Sequence, residues 1–80
     1  MDENGSFATK DIYLAAALLT LGAELVDTIR DDPKHLRFVF EHSGDLKELE
    51  NAYTNGKLEV SASKYAESIR RMKSIVHSTD

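Results

Sequence analysis

Eighty residues, 41% apolar and 30% charged, have the composition of one soluble globular domain and exclude an intrinsically disordered chain. Ten Lys/Arg against fourteen Asp/Glu give a net charge of −4, which argues against indiscriminate nucleic-acid binding. With no cysteine, neither a disulfide nor a thiolate metal site can supplement a small core, and the expected compartment is a reducing cytoplasm.

Residues 1–6 read as a polar tail, 7–77 as a single domain and 78–80 as a second tail. Phe7 opens a short extended stretch. Residues 12–21 follow as a helix that is apolar almost all the way round, with Leu14, Leu18, Leu21, Ala15, Ile12, Leu19 and Ala16 covering most of its circumference. A surface helix would show a charged face, so this one must be covered on more than one side. Thr9 is the expected N-cap, Asp11 suits the first turn, and Gly22 ends the helix in the left-handed conformation.

Residues 23–30 read as a strand, with Leu25 and Ile29 on one face beside Ala23 and Asp27, and Val26 on the other. Asp31-Asp32-Pro33-Lys34 reads as a turn. Residues 35–42 give the cleaner alternation. Leu36, Phe38 and Phe40 point one way; His35, Arg37, Val39 and Glu41 point the other. Ser43 or Asp45 caps a second helix with Leu46, Leu49 and Tyr53 in one stripe, stopped at Asn55-Gly56. Ser61 caps a third, whose apolar face holds Ala62, Tyr65, Ile69, Met72 and Val76. The expected fold class is α+β: a small antiparallel sheet built on a β-hairpin, packed on one face by two to three helices. Its core should pack Leu36, Phe38 and Phe40 against Leu14, Leu18, Leu25, Leu49, Ile69 and Met72.

No catalytic signature appears. Gly5, Gly22, Gly44 and Gly56 suit turns and helix ends, and no phosphate loop or dinucleotide fingerprint is present. His35 and His42 fall on opposite faces of an ideal strand, and His42 with Asp45 makes two ligands, too few for a metal site. The chain is therefore expected to be neither an enzyme nor a cofactor or metal binder. The acidic start through Asp2 and Glu3 is unlike a signal peptide, and the apolar run at 12–21 is about half of a membrane span.

Three surfaces remain as candidates. Tyr13, Ala17 and Thr20 form an uncharged, weakly polar stripe on the first helix, suited either to the third helix or to a second copy in a homodimer. Charge is uneven along the chain. Residues 1–56 hold five Lys/Arg and eleven Asp/Glu, whereas residues 57–80 hold five and three. Arg70, Lys73 and His77 share one face of the third helix, a possible phosphate-contacting patch. The aromatics sit at core positions rather than on that face, which opposes nucleic-acid reading.

The third surface comes from a resemblance. The segments Thr9-Lys10-Asp11, Tyr13-Leu14-Ala15, Phe38-Val39-Phe40, Asn55-Gly56-Lys57 and the run from Lys64 to Ser74 make residues 7–77 similar to a family of very short proteins classed as a domain of unknown function. The turn through Asp31-Asp32-Pro33 is less typical of it. The resemblance implies an origin in bacteria, archaea or their phages and mobile elements, and brings no activity with it. It marks Lys10, Asn55 and Lys57, with Thr9, Asp11 and Tyr13, as a shared surface. The expected function is a small protein-interaction module, with a nucleic-acid-binding accessory protein as the alternative.

Overall fold

The computed structural model describes residues 6–32, 35–41 and 46–78. In chain order these form β1 (Ser6–Thr9), α1 (Ile12–Thr20), β2 (Glu24–Asp32), β3 (His35–Glu41), α2 (Leu46–Thr54) and α3 (Ala62–Ser78). The strands pair antiparallel in the order β1-β3-β2, so the fold is α+β with β3 at the centre of the sheet.

The alternation of β3 carries directly into burial. Leu36, Phe38 and Phe40 are buried, and Phe38 and Phe40 are among the largest fully buried side chains. Two cross-sheet rows line this inner face: Phe7–Phe40–Leu25 and Thr9–Phe38–Thr28. They meet Leu14, Leu18, Leu46 and Met72, with Leu25, Leu49, Tyr53, Tyr65 and Ile69 packed around them. Burying one such Phe contributes roughly 1.5–3 kcal/mol.

In β2 the structure departs from the expected pattern. Leu25 pairs with Phe40 and Asp27 with Val39, so Val26 is an extra residue without a partner, a β-bulge. Leu25 keeps its inward position. Asp27 and Ile29 do not share it: Thr28 faces Phe38 on the inner side, and Ile29 lies outward beside Arg37. Simple period-2 counting fails here because the bulge shifts the count by one. A second irregularity leaves Asp31 extra between Arg30 and Asp32, and the strand runs on to Asp32 where a turn was expected. Pro33 and Lys34, and the expected caps Ser43 and Asp45, lie outside the described residues.

Helix α1 is covered on several sides, as its composition requires. Five consecutive residues, Leu14 to Leu18, are buried. Its N-cap is Asp11 rather than Thr9. Thr9 still pairs with Phe38 in the sheet, so its backbone is committed to β1. Asp11 Oδ1 accepts the backbone N–H groups of Tyr13 at 2.9 Å and Leu14 at 3.2 Å, while the Thr9 hydroxyl accepts the N–H of Asp11 at 3.1 Å. At the other end Gly22, with φ +100°, lets its own N–H reach the Leu19 carbonyl and that of Ala23 the Leu18 carbonyl. The same pair of bonds closes α2 at Gly56, from Gly56 to Tyr53 and from Lys57 to Ala52.

Helix α3 packs along α1. Its first helical bond runs from the Tyr65 N–H to the Ser61 carbonyl at 2.8 Å. Met72 is buried in the core, Tyr65, Ile69, Ile75 and Val76 lean on it, and Ala62 is exposed.

Candidate protein-interaction surface

The stripe on α1 is largely taken up inside the chain. Ala17 is 2% exposed. The Thr20 hydroxyl donates to the Ala16 carbonyl and lies 2.8 Å from Ser68 Oγ on α3, which can donate to it in turn. Tyr65 of α3 donates its hydroxyl to the Tyr13 carbonyl at 3.1 Å. Of the three stripe residues only Tyr13 presents much of its surface, 47%, to solvent.

The start of α1 gathers all three tyrosines of the chain. Besides the Tyr65 bond, Tyr53 of α2 donates its hydroxyl to Asp11 Oδ2 at 3.2 Å. Burial first, and the Asp11 carboxylate second, push the phenols of Tyr53 and Tyr65 above the usual tyrosine range. Asp11 therefore caps α1 with one oxygen and holds α2 with the other. These bonds latch both later helices onto the first turn of α1.

Lys10, Asn55 and Lys57 are exposed. Lys10 reaches toward Asp31, with Nζ 3.9 Å from Oδ2, while Asn55 and Lys57 lie at the end of α2. On α3, Arg70, Lys73 and His77 are exposed together, as are Lys64 and Arg71. Among the described residues, none of these five basic side chains of α3 is held in an ion pair. His35 lies at a strand end with Nδ1 2.8 Å from Asp32 Oδ2, and His42 lies outside the described residues. No group of three or more potential metal ligands occurs among the described residues.

The surface that pattern reading missed is the outer face of the sheet. The helices pack on the inner rows, and the register sets the outer face as three others: Ser6–Glu41–Glu24, then Ala8–Val39–Asp27, then Arg37–Ile29. A solvated sheet face normally alternates to polar residues. Here Ala8, Val39 and Ile29 form an apolar centre, with Val26 at the adjoining bulge. Val26 is 49% exposed and Ile29 37%. Both bulged residues contribute to this side of the molecule, and a bulge cannot be placed from alternation alone.

The two ends of the face differ electrostatically. At one end Arg37 donates from Nε and Nη2 to the two oxygens of Asp31, each at 3.0 Å. That fork, helped by Lys10, holds the Asp31 carboxyl below its usual range and raises the Arg37 guanidinium. At the other end Glu24 and Glu41 sit directly opposite one another. Among the described residues, neither makes an ion pair.

The family model described as "Domain of unknown function (DUF5659)" matches residues 4–78. No curated protein and no solved structure matches the chain. No helix among the described residues is long and apolar enough to cross a membrane.

Proposed function

The chain belongs to that family of unknown function, and we propose that it is a non-enzymatic protein-interaction module that docks its partner on the outer face of the sheet. One observation carries this reading. On the face opposite the helices Ala8, Val39 and Ile29, extended by Val26, place apolar side chains around Asp27, where an uncovered sheet would present mostly polar ones. The centre is framed by charges, the anatomy of a protein interface with an apolar middle and a polar rim. The sheet behind it is held rigid by the phenylalanine core, so little ordering is required on docking. The resemblance of the chain to short prokaryotic and phage proteins supports a bacterial, archaeal or phage setting, and its lack of cysteine fits a reducing cytoplasm.

Site-specific photo-crosslinking tests the reading. A photoreactive side chain at Ile29 should capture one defined partner, and the same group at Arg70 should not. Ile29→Lys in the otherwise native chain should lose that partner while keeping its melting temperature. Capture from Arg70 alone would overturn the assignment.

A second reading rests on α3, where five basic side chains stay exposed with no carboxylate engaged among the described residues. A nucleic-acid accessory role would use this helix. It requires a salt-sensitive complex, lost in the Arg70→Glu, Lys73→Glu double variant. The net charge of −4 weighs against it.

A further inference from the structure

Resting on the docking reading above, we propose that the partner is a protein segment that places a lysine or arginine over Glu24 and Glu41 and aliphatic side chains over Ala8, Val39 and Ile29. The argument starts from the register. Glu24 and Glu41 are Cα partners, and both point away from the helices. Directly opposed like charges on a sheet repel, so this pair is unfavourable in the isolated chain. No cation among the described residues relieves it. The opposite end of the same face shows what relief looks like: Asp31 is held by the Arg37 fork with Lys10 nearby, and Asp32 by His35. One end is neutralised within the chain; the other, with Asp27 in the adjoining row accepting the Thr28 backbone N–H, is left acidic.

That polarity gives the occupant a direction. On β3 the glutamate row is two residues from the Val39 row, which is two from the Arg37–Ile29 row. At strand rise these steps are about 7 Å each. A segment with a cation at one position and aliphatic residues about one and two such steps further on matches both the charge and the apolar centre. It would avoid a second cation over Arg37. A second copy of this chain docking through the same face is disfavoured where it would bring two acidic rows together.

The test uses the full chain, labelled with ¹⁵N, and two synthetic peptides: acetyl-Lys-Gln-Val-Gln-Val-amide, whose lysine and two valines share one face when extended, and its analogue with Gln in place of Lys. The lysine peptide should shift the amides of Ala8, Glu24, Val39 and Glu41, and bind about ten-fold more tightly than the analogue. In the Glu24→Gln, Glu41→Gln variant that preference should vanish, and the melting temperature should rise because the repulsion is gone. Equal binding of both peptides at the outer face would overturn the cation while leaving the docking face in place. Shifts absent from the outer face with either peptide would overturn both readings. A melting temperature that does not rise in the double variant would overturn the unrelieved pair. Concentration-dependent shifts of the same amides without peptide would assign the face to a second copy and overturn the proposal.

Discussion

Strands β3 and β2 lie side by side in one sheet and obey different rules. β3 is central, hydrogen-bonded on both edges, and alternates without interruption between core and outer face. β2 is an edge strand with two extra residues, Val26 and Asp31, and its burial pattern does not alternate. The difference follows from constraint. A one-residue slip in β3 would turn Phe38 or Phe40 out of the core, whereas an edge strand can absorb an extra residue by bulging toward solvent. Bulges and charges also blunt an edge against unwanted strand pairing, and β2 carries both.

Deleting one residue from each strand gives the sharpest test. Removal of Val39 places Phe40 and Phe38 on opposite faces, so one part of the core must be exposed. The loss should exceed the roughly 5 kcal/mol at the lower end of domain stability, and the variant should be unfolded by circular dichroism. Removal of Val26 deletes only the bulged residue and leaves Leu25, Thr28 and Arg30 facing inward. That variant should fold, with a cost below about 2 kcal/mol in chemical denaturation. If both deletions unfold the chain, the bulge is not the free insertion that the register makes it.

Next in size is Phe38→Ala. Phe38 is 1% exposed and lies between Thr9 and Thr28 on the inner face. The substitution should cost about 3–5 kcal/mol and leave much of this small domain unfolded at ordinary temperature. A melt close to that of the native chain would break the assignment of β3 to the core. Ile29→Thr is the matching change in β2. Ile29 faces outward, so its replacement by a β-branched polar residue should stay within about 0.5 kcal/mol. A cost of core size would mean that Ile29 is buried after all.

Legibility in the sequence divides along the same line. The element order, the fold class and the β3 core were readable because apolar side chains repeat with the period of the element that buries them. The all-round apolar α1 could be read as multiply covered, and Leu14 to Leu18 are buried. The stripe through Tyr13, Ala17 and Thr20 left two coverings open; the structure supplies α3, through Ser68 and Tyr65. What escaped was set by tertiary geometry. The cap passed from Thr9 to Asp11 because pairing with Phe38 holds Thr9 in β1. The outer-face patch escaped because a bulge moves Ile29 from one face to the other without changing composition. The two phenol latches join residues 42 and 52 positions apart in sequence, beyond the reach of any local pattern.

The smallest expected effect belongs to the second bulged residue of β2. Asp31 lies outward on the sheet and receives the Arg37 fork with Lys10 nearby. The Arg37 hydrogen bonds lower its carboxyl below the ordinary value of 3.8. A carboxyl depressed in the folded state contributes stability that is present above its unfolded value and is lost as pH falls through the folded one. Asp31→Asn removes that contribution and leaves Arg37 and Lys10 partly exposed to water, where an unpaired cation costs little. The native chain should therefore melt slightly above the variant near neutral pH. Below pH 3.8 the gap should close progressively, and the two melting curves should nearly coincide once Asp31 is protonated in the folded chain as well. A gap that stays unchanged as the pH falls below 3.8 would show that Asp31 acts through backbone geometry at the bulge, rather than through its charge.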